Sequence, residues 1–203
     1  MLWNLILPLD KTSSDIKIID NFLVQPYFDE IKNKIKSSYF PWFYDGDITK
    51  QKENKILNFN DPLHLSKIGF SHTVFVDNNV RSEQYYYLFS GFFGQLLNIT
   101  SCFSIVRCRL DMTLFNPIKF MHTPHTDLDI PHTTAILYIT DSDAKTIVYN
   151  EKGPYENLPE TLTIKDEILP KENRLVIFDG LYIHTGFSPS QYKNRILINV
   201  NLV

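Results

Sequence analysis

The sequence predicts a mainly β protein, a two-sheet jelly roll backed by helices from its N-terminal part, and three observations carry that prediction. From about residue 101 the chain breaks into short apolar runs: Cys102–Phe115, His132–Thr140, Lys145–Asn150, Thr161–Ile164, Arg174–Phe178, Leu181–Thr185 and Arg195–Leu202. Turn-forming residues separate them at Asn116-Pro117, Asp141-Ser142-Asp143, Gly153-Pro154, Pro170, Gly180 and Ser188-Pro189. Helical periodicity, in contrast, is confined to the part before about residue 100.

In chain order, Ile16–Leu23 alternates loosely and reads as a first strand. Asn21 or Gln25 is placed to cap a helix with Pro26 in its opening turn, where the missing N–H does no harm. Val24, Phe28, Ile31 and Ile35 form one apolar stripe with lysines opposite, so this helix packs on the core. Tyr39–Leu63 is broken by Pro41, Gly46 and Pro62 and has little periodicity. Two readings stay open for it: a lid or binding segment, or a surface excursion containing one strand. Gly69–Val76 reads as a strand. Arg81–Leu97 carries Tyr85, Leu88, Phe89, Phe92, Phe93, Leu96 and Leu97 at helical spacing, which marks a core stripe.

A chain of 203 residues, 43% hydrophobic, can bury a core without staples, so residues 1–203 are expected to form one domain. Its helix-containing part is about 1–100 and its jelly-roll core about 101–203. The net charge of −3 lacks the basic footprint of a dedicated nucleic-acid binder, and the lysines between Lys32 and Lys67 are interrupted by acids and apolar residues. Cys102 and Cys108 fall in one strand-like run, which separates them by roughly 20 Å, beyond disulfide reach. No stretch approaches the roughly 20 apolar residues of a membrane span, and Met1–Leu9 has no basic flank. These features lead us to expect a soluble, cytoplasmic protein in a reducing compartment. The Lys-, Asn- and Ile-rich usage suggests an AT-rich genome, microbial or viral.

The chemistry centres on His122-Thr123-Pro124-His125-Thr126-Asp127. If the segment is extended, His125 and Asp127 point to the same side, because side chains alternate faces. Two histidines and one carboxylate on one side of a metal, with other positions open, form the facial triad of non-haem iron oxygenases. His184, in Leu181-Tyr182-Ile183-His184-Thr185, is the candidate third ligand, although a lone histidine in an apolar strand is more often a satisfied core residue. Arg195 follows eleven residues later, at the start of Arg-Ile-Leu-Ile-Asn-Val-Asn. Alternation puts Arg195, Leu197 and Asn199 on one face and Ile196, Ile198 and Val200 on the other. A guanidinium there needs an anion, either a structural carboxylate or a bound one held by its planar fork. His122 and His132 are expected as loop or supporting groups, Asp129 as a substrate contact or a solvent-facing side chain, and His64 and His72 as ordinary residues.

His125-x-Asp127, then His184, then Arg195 eleven residues on resembles the 2-oxoglutarate-dependent Fe(II) dioxygenases, in particular their prolyl-4-hydroxylase-like branch. The resemblance runs over about Arg107–Val203, and the opening at Ile16–Ser37 and the phrase Leu169–Asp179 also resemble that branch. It implies a double-stranded β-helix with Fe(II) held by His125, Asp127 and His184. Arg195 is then the partner of the distal carboxylate of 2-oxoglutarate, and Tyr138 matches a tyrosine that donates to the same carboxylate. Phe115 and Leu197 depart from the pattern, standing where relatives carry a tyrosine and a serine. The implied activity is hydroxylation with O2, coupled to oxidative decarboxylation of 2-oxoglutarate to succinate and CO2. Peptidyl proline is the first substrate candidate; free amino acids and other small molecules stay open. A non-enzymatic or zinc-binding cupin-like protein is the alternative, since zinc accepts the same ligands. A nucleic-acid demethylase is disfavoured by the acidic charge.

Overall fold

A computed structural model describes residues 15–48, 68–153 and 161–203. Its elements are β1 (Ile16–Ile19), α1 (Gln25–Ile35), β2 (Phe43–Asp45), β3 (Gly69–Val76), β4 (Asn79–Val80), α2 (Glu83–Leu88), α3 (Ser90–Thr100), β5 (Ile105–Leu114), β6 (Thr133–Tyr138), β7 (Thr146–Lys152), β8 (Ile164–Ile168), β9 (Leu175–Asp179), β10 (Tyr182–Gly186) and β11 (Asn194–Leu202). The major sheet runs β1-β9-β6-β11-β5-β3-β2, with β4 paired to β3, and the minor sheet runs β10-β7-β8. Neighbours in both sheets are antiparallel. Two isolated bridges, Met121–Phe187 and His125–His184, lay the histidine-rich segment along β10 and so widen the minor sheet.

The alternation in β11 sorts the layers. Ile196, Ile198, Val200 and Leu202 enter the larger apolar cluster with Phe28, Ile31 and Ile35 of α1 and Phe92, Phe93 and Leu96 of α3. The helices therefore pack on the outer face of the major sheet. Leu197 belongs to the second cluster with Ile136, Tyr138, Val148, Val176 and Phe178, between the two sheets. Burying the first set outside and leaving Arg195, Leu197 and Asn199 inside fixes the register of β11, because a slip of one residue would exchange the two faces.

Most predicted elements are present with shifted ends. The first strand stops at Ile19, since Asn21 takes a positive φ and turns the chain into the helix. Neither Asn21 nor Gln25 caps α1: Val24 is the N-cap residue and no side chain caps the helix. Gln25 instead donates to Asp29, and Val24, counted in the apolar stripe, is exposed. The Arg81–Leu97 helix is two helices, broken at Phe89, whose φ of −90° and ψ of 1° leave the helical region. The strand expected at Thr161–Ile164 lies at Ile164–Ile168. Glu151 accepts from the backbone N–H and hydroxyl of Thr163, so a side chain takes the place of a strand carbonyl at that N–H. Ile168 enters the core while Ile164 stays exposed. Of the 39–63 segment, residues 49–63 lie outside the described residues, as does His64; the described part contains β2. Both cysteines are free. No helix among the described residues is long and apolar enough to cross a membrane.

Candidate metal centre and its anion pocket

His125 and His184 exchange two backbone hydrogen bonds, each N–H donating to the other's carbonyl at 2.9 Å. As directly paired residues of an antiparallel bridge they project to the same face, and their rings lie 4.7 Å apart. Each ring engages a carbonyl through Nδ1: His125 with Thr123 at 2.9 Å and His184 with Tyr182 at 3.1 Å. That bond places the proton on Nδ1 and leaves the Nε2 lone pair free, the tautomer a metal requires. Burial first, then the neighbouring His184, pulls the pKa of His125 down to about 4, so its imidazole is neutral at ordinary pH.

Asp127 lies beside them, its side chain 2% exposed and Oδ2 3.6 Å from His184 Nε2. One cross-strand row on β5, β11 and β6 cradles it: Arg107, Asn201 and Thr134 are register partners. Arg107 Nη1 donates to Oδ1 at 3.0 Å, Asn201 to Oδ2 at 3.0 Å and Thr134 to Oδ2 at 3.3 Å. Asn199, one row away, donates to both oxygens. Burial alone would raise the pKa of Asp127, but Arg107, the two imidazoles and Asn199 outweigh it and hold the carboxylate well below its ordinary value. The ligand atoms of His125, Asp127 and His184 lie within 4.8 Å of one another. Two imidazole nitrogens with free lone pairs and one ionised carboxylate, converging from one side, fit a divalent transition metal with open positions opposite.

A cleft of about 520 Å³, including its open mouth, runs from His125 and His184 to Arg195. Arg195 is 7% exposed, and among the described residues no carboxylate pairs with it. Its guanidinium donates to Thr146 Oγ1 at 2.6 Å and lies 5.6 Å above the Tyr138 ring, while its Nε has no partner. Gly186, at the end of β10, makes room for it, since a Cβ there would sit 3.0 Å from Nη1. A buried cation without an anion is costly in the free protein. The pocket is thus shaped for an incoming anion, and no structural carboxylate of the kind the sequence left open is found there among the described residues.

Solved structures share this architecture. A 2OG-Fe(II) oxygenase family oxidoreductase from Burkholderia pseudomallei aligns over 93% of this chain and 85% of its own, with a TM-score of 0.60 and 11% identity. A prolyl hydroxylase from Trichoplax adhaerens, solved with a hypoxia inducible factor peptide fragment, aligns over 94% and 84% with a TM-score of 0.58 and 15% identity. The α-ketoglutarate-dependent epimerase SnoN of nogalamycin biosynthesis aligns over 93% and 77% with a TM-score of 0.64 and 8% identity. The chain has the 2OG-Fe(II) oxygenase fold. That fold is a double-stranded β-helix. No protein-family model matches the sequence, and no curated protein matches it significantly.

Within the oxygenase fold, the structure brings His125, Asp127 and His184 into one group, and His125, His184 and Arg195 line one cleft. Tyr138 lies fully buried beside the Arg195 guanidinium, its hydroxyl 2.6 Å from Thr146 Oγ1. Phe115 is 53% exposed, and Leu197 lines the cleft. His122 also lines the cleft, but its Nε2 is engaged with Ser188 and it stands outside the converging ligand group. His132 packs under Gly180, His72 sits among Phe40, Phe43 and Tyr85, and Asp129 is exposed. Sequence reasoning missed Arg107, Thr146 and Asn201. A signal for Arg107 was present: Arg107, Arg109, Asp111 and Thr113 alternate with apolar or sulfur-bearing residues along one strand, which marks a polar inward face.

Proposed function

We propose that this protein is an Fe(II)- and 2-oxoglutarate-dependent oxygenase that acts as a hydroxylase. The observation that carries the reading is a two-histidine, one-carboxylate group whose histidines share a cleft with a buried arginine that has no carboxylate partner among the described residues. His125 and His184 would hold iron through Nε2, and Asp127 through Oδ2, the oxygen that faces His184. Bound there, iron supplies the redox chemistry that couples decarboxylation of the 2-oxo acid to oxidation of a C–H bond. The protein's own part is orientation. Arg195 takes the distal carboxylate, Thr146 and Tyr138 hold the guanidinium in position, and Leu197 and Ile136 give the co-substrate an apolar floor. An anchor far from the metal fixes the 2-oxo end without contributing groups that the reaction could oxidise.

For the substrate, a peptidyl proline is the first candidate, supported by the likeness to the Trichoplax prolyl hydroxylase, which was solved with a peptide fragment. The likeness to SnoN, solved with nogalamycin RO, keeps small molecules as the second class. The test is anaerobic titration with Fe(II) and then 2-oxoglutarate, following the visible absorption band of the chelate. A band that needs both components, disappears in His184→Ala and weakens in Arg195→Ala supports the proposal, and succinate release then screens substrates. Tight zinc binding without any such band would replace it with a zinc-binding, cupin-like protein.

A further inference from the structure

We infer that Thr113 supplies the second anchor for the distal carboxylate of the co-substrate, donating its hydroxyl to an oxygen that Arg195 leaves free. The inference rests on the reading of Arg195 given above. Thr113 is the register partner of Arg195 on β5. Directly paired residues share a face, with Cβ atoms about 4.5–5.5 Å apart, and both side chains line the cleft. Thr113 is 4% exposed and its Oγ1 has no hydrogen-bond partner. Its neighbour on the other side, across the β3–β5 ladder, is Gly69, which offers no side chain. Two residues back on the same face, Asp111 is engaged with Arg109.

The other hydroxyls at this end of the cleft are already committed. Thr146 Oγ1 accepts from Arg195 and is bonded to Tyr138. Phe115, just beyond the end of β5, is exposed and offers no hydroxyl. A buried hydroxyl with no partner weakens a fold, and valine would fill the same space without that penalty. Thr113 therefore works against stability in the free protein. The unpartnered Nε of Arg195 and the unpartnered Oγ1 of Thr113 are two donors on one cross-strand pair of the cleft, and a carboxylate has the two oxygens to meet them.

The experiment uses Thr113→Val and Thr113→Ser in the full chain. Affinity is read anaerobically from the Fe(II) chelate band for 2-oxoglutarate and for 2-oxopentanoate, which has the same carbon chain but no distal carboxylate. One hydrogen bond to a charged group corresponds to roughly tenfold in affinity. We expect Thr113→Val to weaken 2-oxoglutarate about tenfold, Thr113→Ser to restore it, and 2-oxopentanoate to bind all three proteins alike. Metal-free Thr113→Val should melt no lower than the parent. Unchanged 2-oxoglutarate affinity in Thr113→Val, or equal weakening of both acids, overturns the role of Thr113 and leaves Arg195 untouched. Failure of the parent protein to form any 2-oxoglutarate complex overturns both.

Discussion

Replacing Arg107 with Met tests whether the row beneath Asp127 is what makes a buried carboxylate tolerable there. The Arg107 and Asp127 side chains are 14% and 2% exposed, and their contact is 3.0 Å. Removing one partner of a buried ion pair typically costs about 3–5 kcal/mol, because the other charge is left uncompensated. Asp127 keeps donors from Asn199, Asn201 and Thr134, which places the loss at the low end, about 3 kcal/mol. For a chain of this size each kcal/mol lowers the melting temperature by about 2–4 °C, so a fall of roughly 6–12 °C is expected. The assay is thermal unfolding of chelator-treated protein by circular dichroism, with Asp127→Asn and the double variant completing a cycle. Once the carboxylate is neutral the arginine has no charge to compensate, so the two losses should be strongly non-additive. A saturating divalent metal should also raise the melting temperature of Arg107→Met more than that of the parent, since the ion replaces the missing positive charge. A variant melting within about 2 °C of the parent, or fully additive losses, would refute the reasoning.

Three further outcomes follow from the same structure. Burial holds His72, His122 and His125 neutral, lowering His122 to about 3 and His125 to about 4 against an unfolded value near 6.5. The unfolded chain therefore binds more protons below pH 6.5, and the stability of the metal-free protein should fall steadily from about pH 6.5 toward pH 4; a flat melting profile over that range would contradict the assignment. Asn173, 2% exposed and at φ 58°, bonds both the N–H and the carbonyl of Leu23. Asn173→Ala should cost about 3–4 kcal/mol in urea unfolding, and Asn173→Gly about 1–2 kcal/mol less, because glycine accepts the left-handed backbone. Equal losses would show that the hydrogen bonds alone matter. Gly180→Ala would drive a Cβ into the His132 ring, which is itself tied to Ile130. It should lose more than about 2 kcal/mol, with His132→Ala recovering part of that loss in the double variant; no recovery would place the strain elsewhere.

Much of this was legible in the chain itself. The period-2 pattern of Arg195–Leu202 sorted core from cleft correctly, because a strand buried on one face and polar on the other carries its orientation in its residues. Phe28, Ile31 and Ile35 announced α1 for the same reason, at the helical period. His125-x-Asp127 needed only an extended segment to bring two candidate ligands to one side. The start of α1 and the break at Phe89 were not legible, since Val24 and Phe89 are not capping residues and the apolar spacing runs straight through the break.

What only the tertiary structure decided is the company each residue keeps. His184 is 57 positions after Asp127, and nothing local distinguishes it from a core histidine; the antiparallel bridge to His125 brings its ring into one group with His125 and Asp127. Arg107 needs Asn201 and Thr134, from strands remote in sequence, before it becomes the support of Asp127. Tyr138 matched a pattern by position, and the fold puts its hydroxyl on Thr146, which also accepts from Arg195, while the Thr113 hydroxyl is left without a partner. Residue type and period determine which way a side chain points. Which atoms are left without a partner depends on the pairing of distant strands, and here those of Thr113 and Arg195 line the cleft.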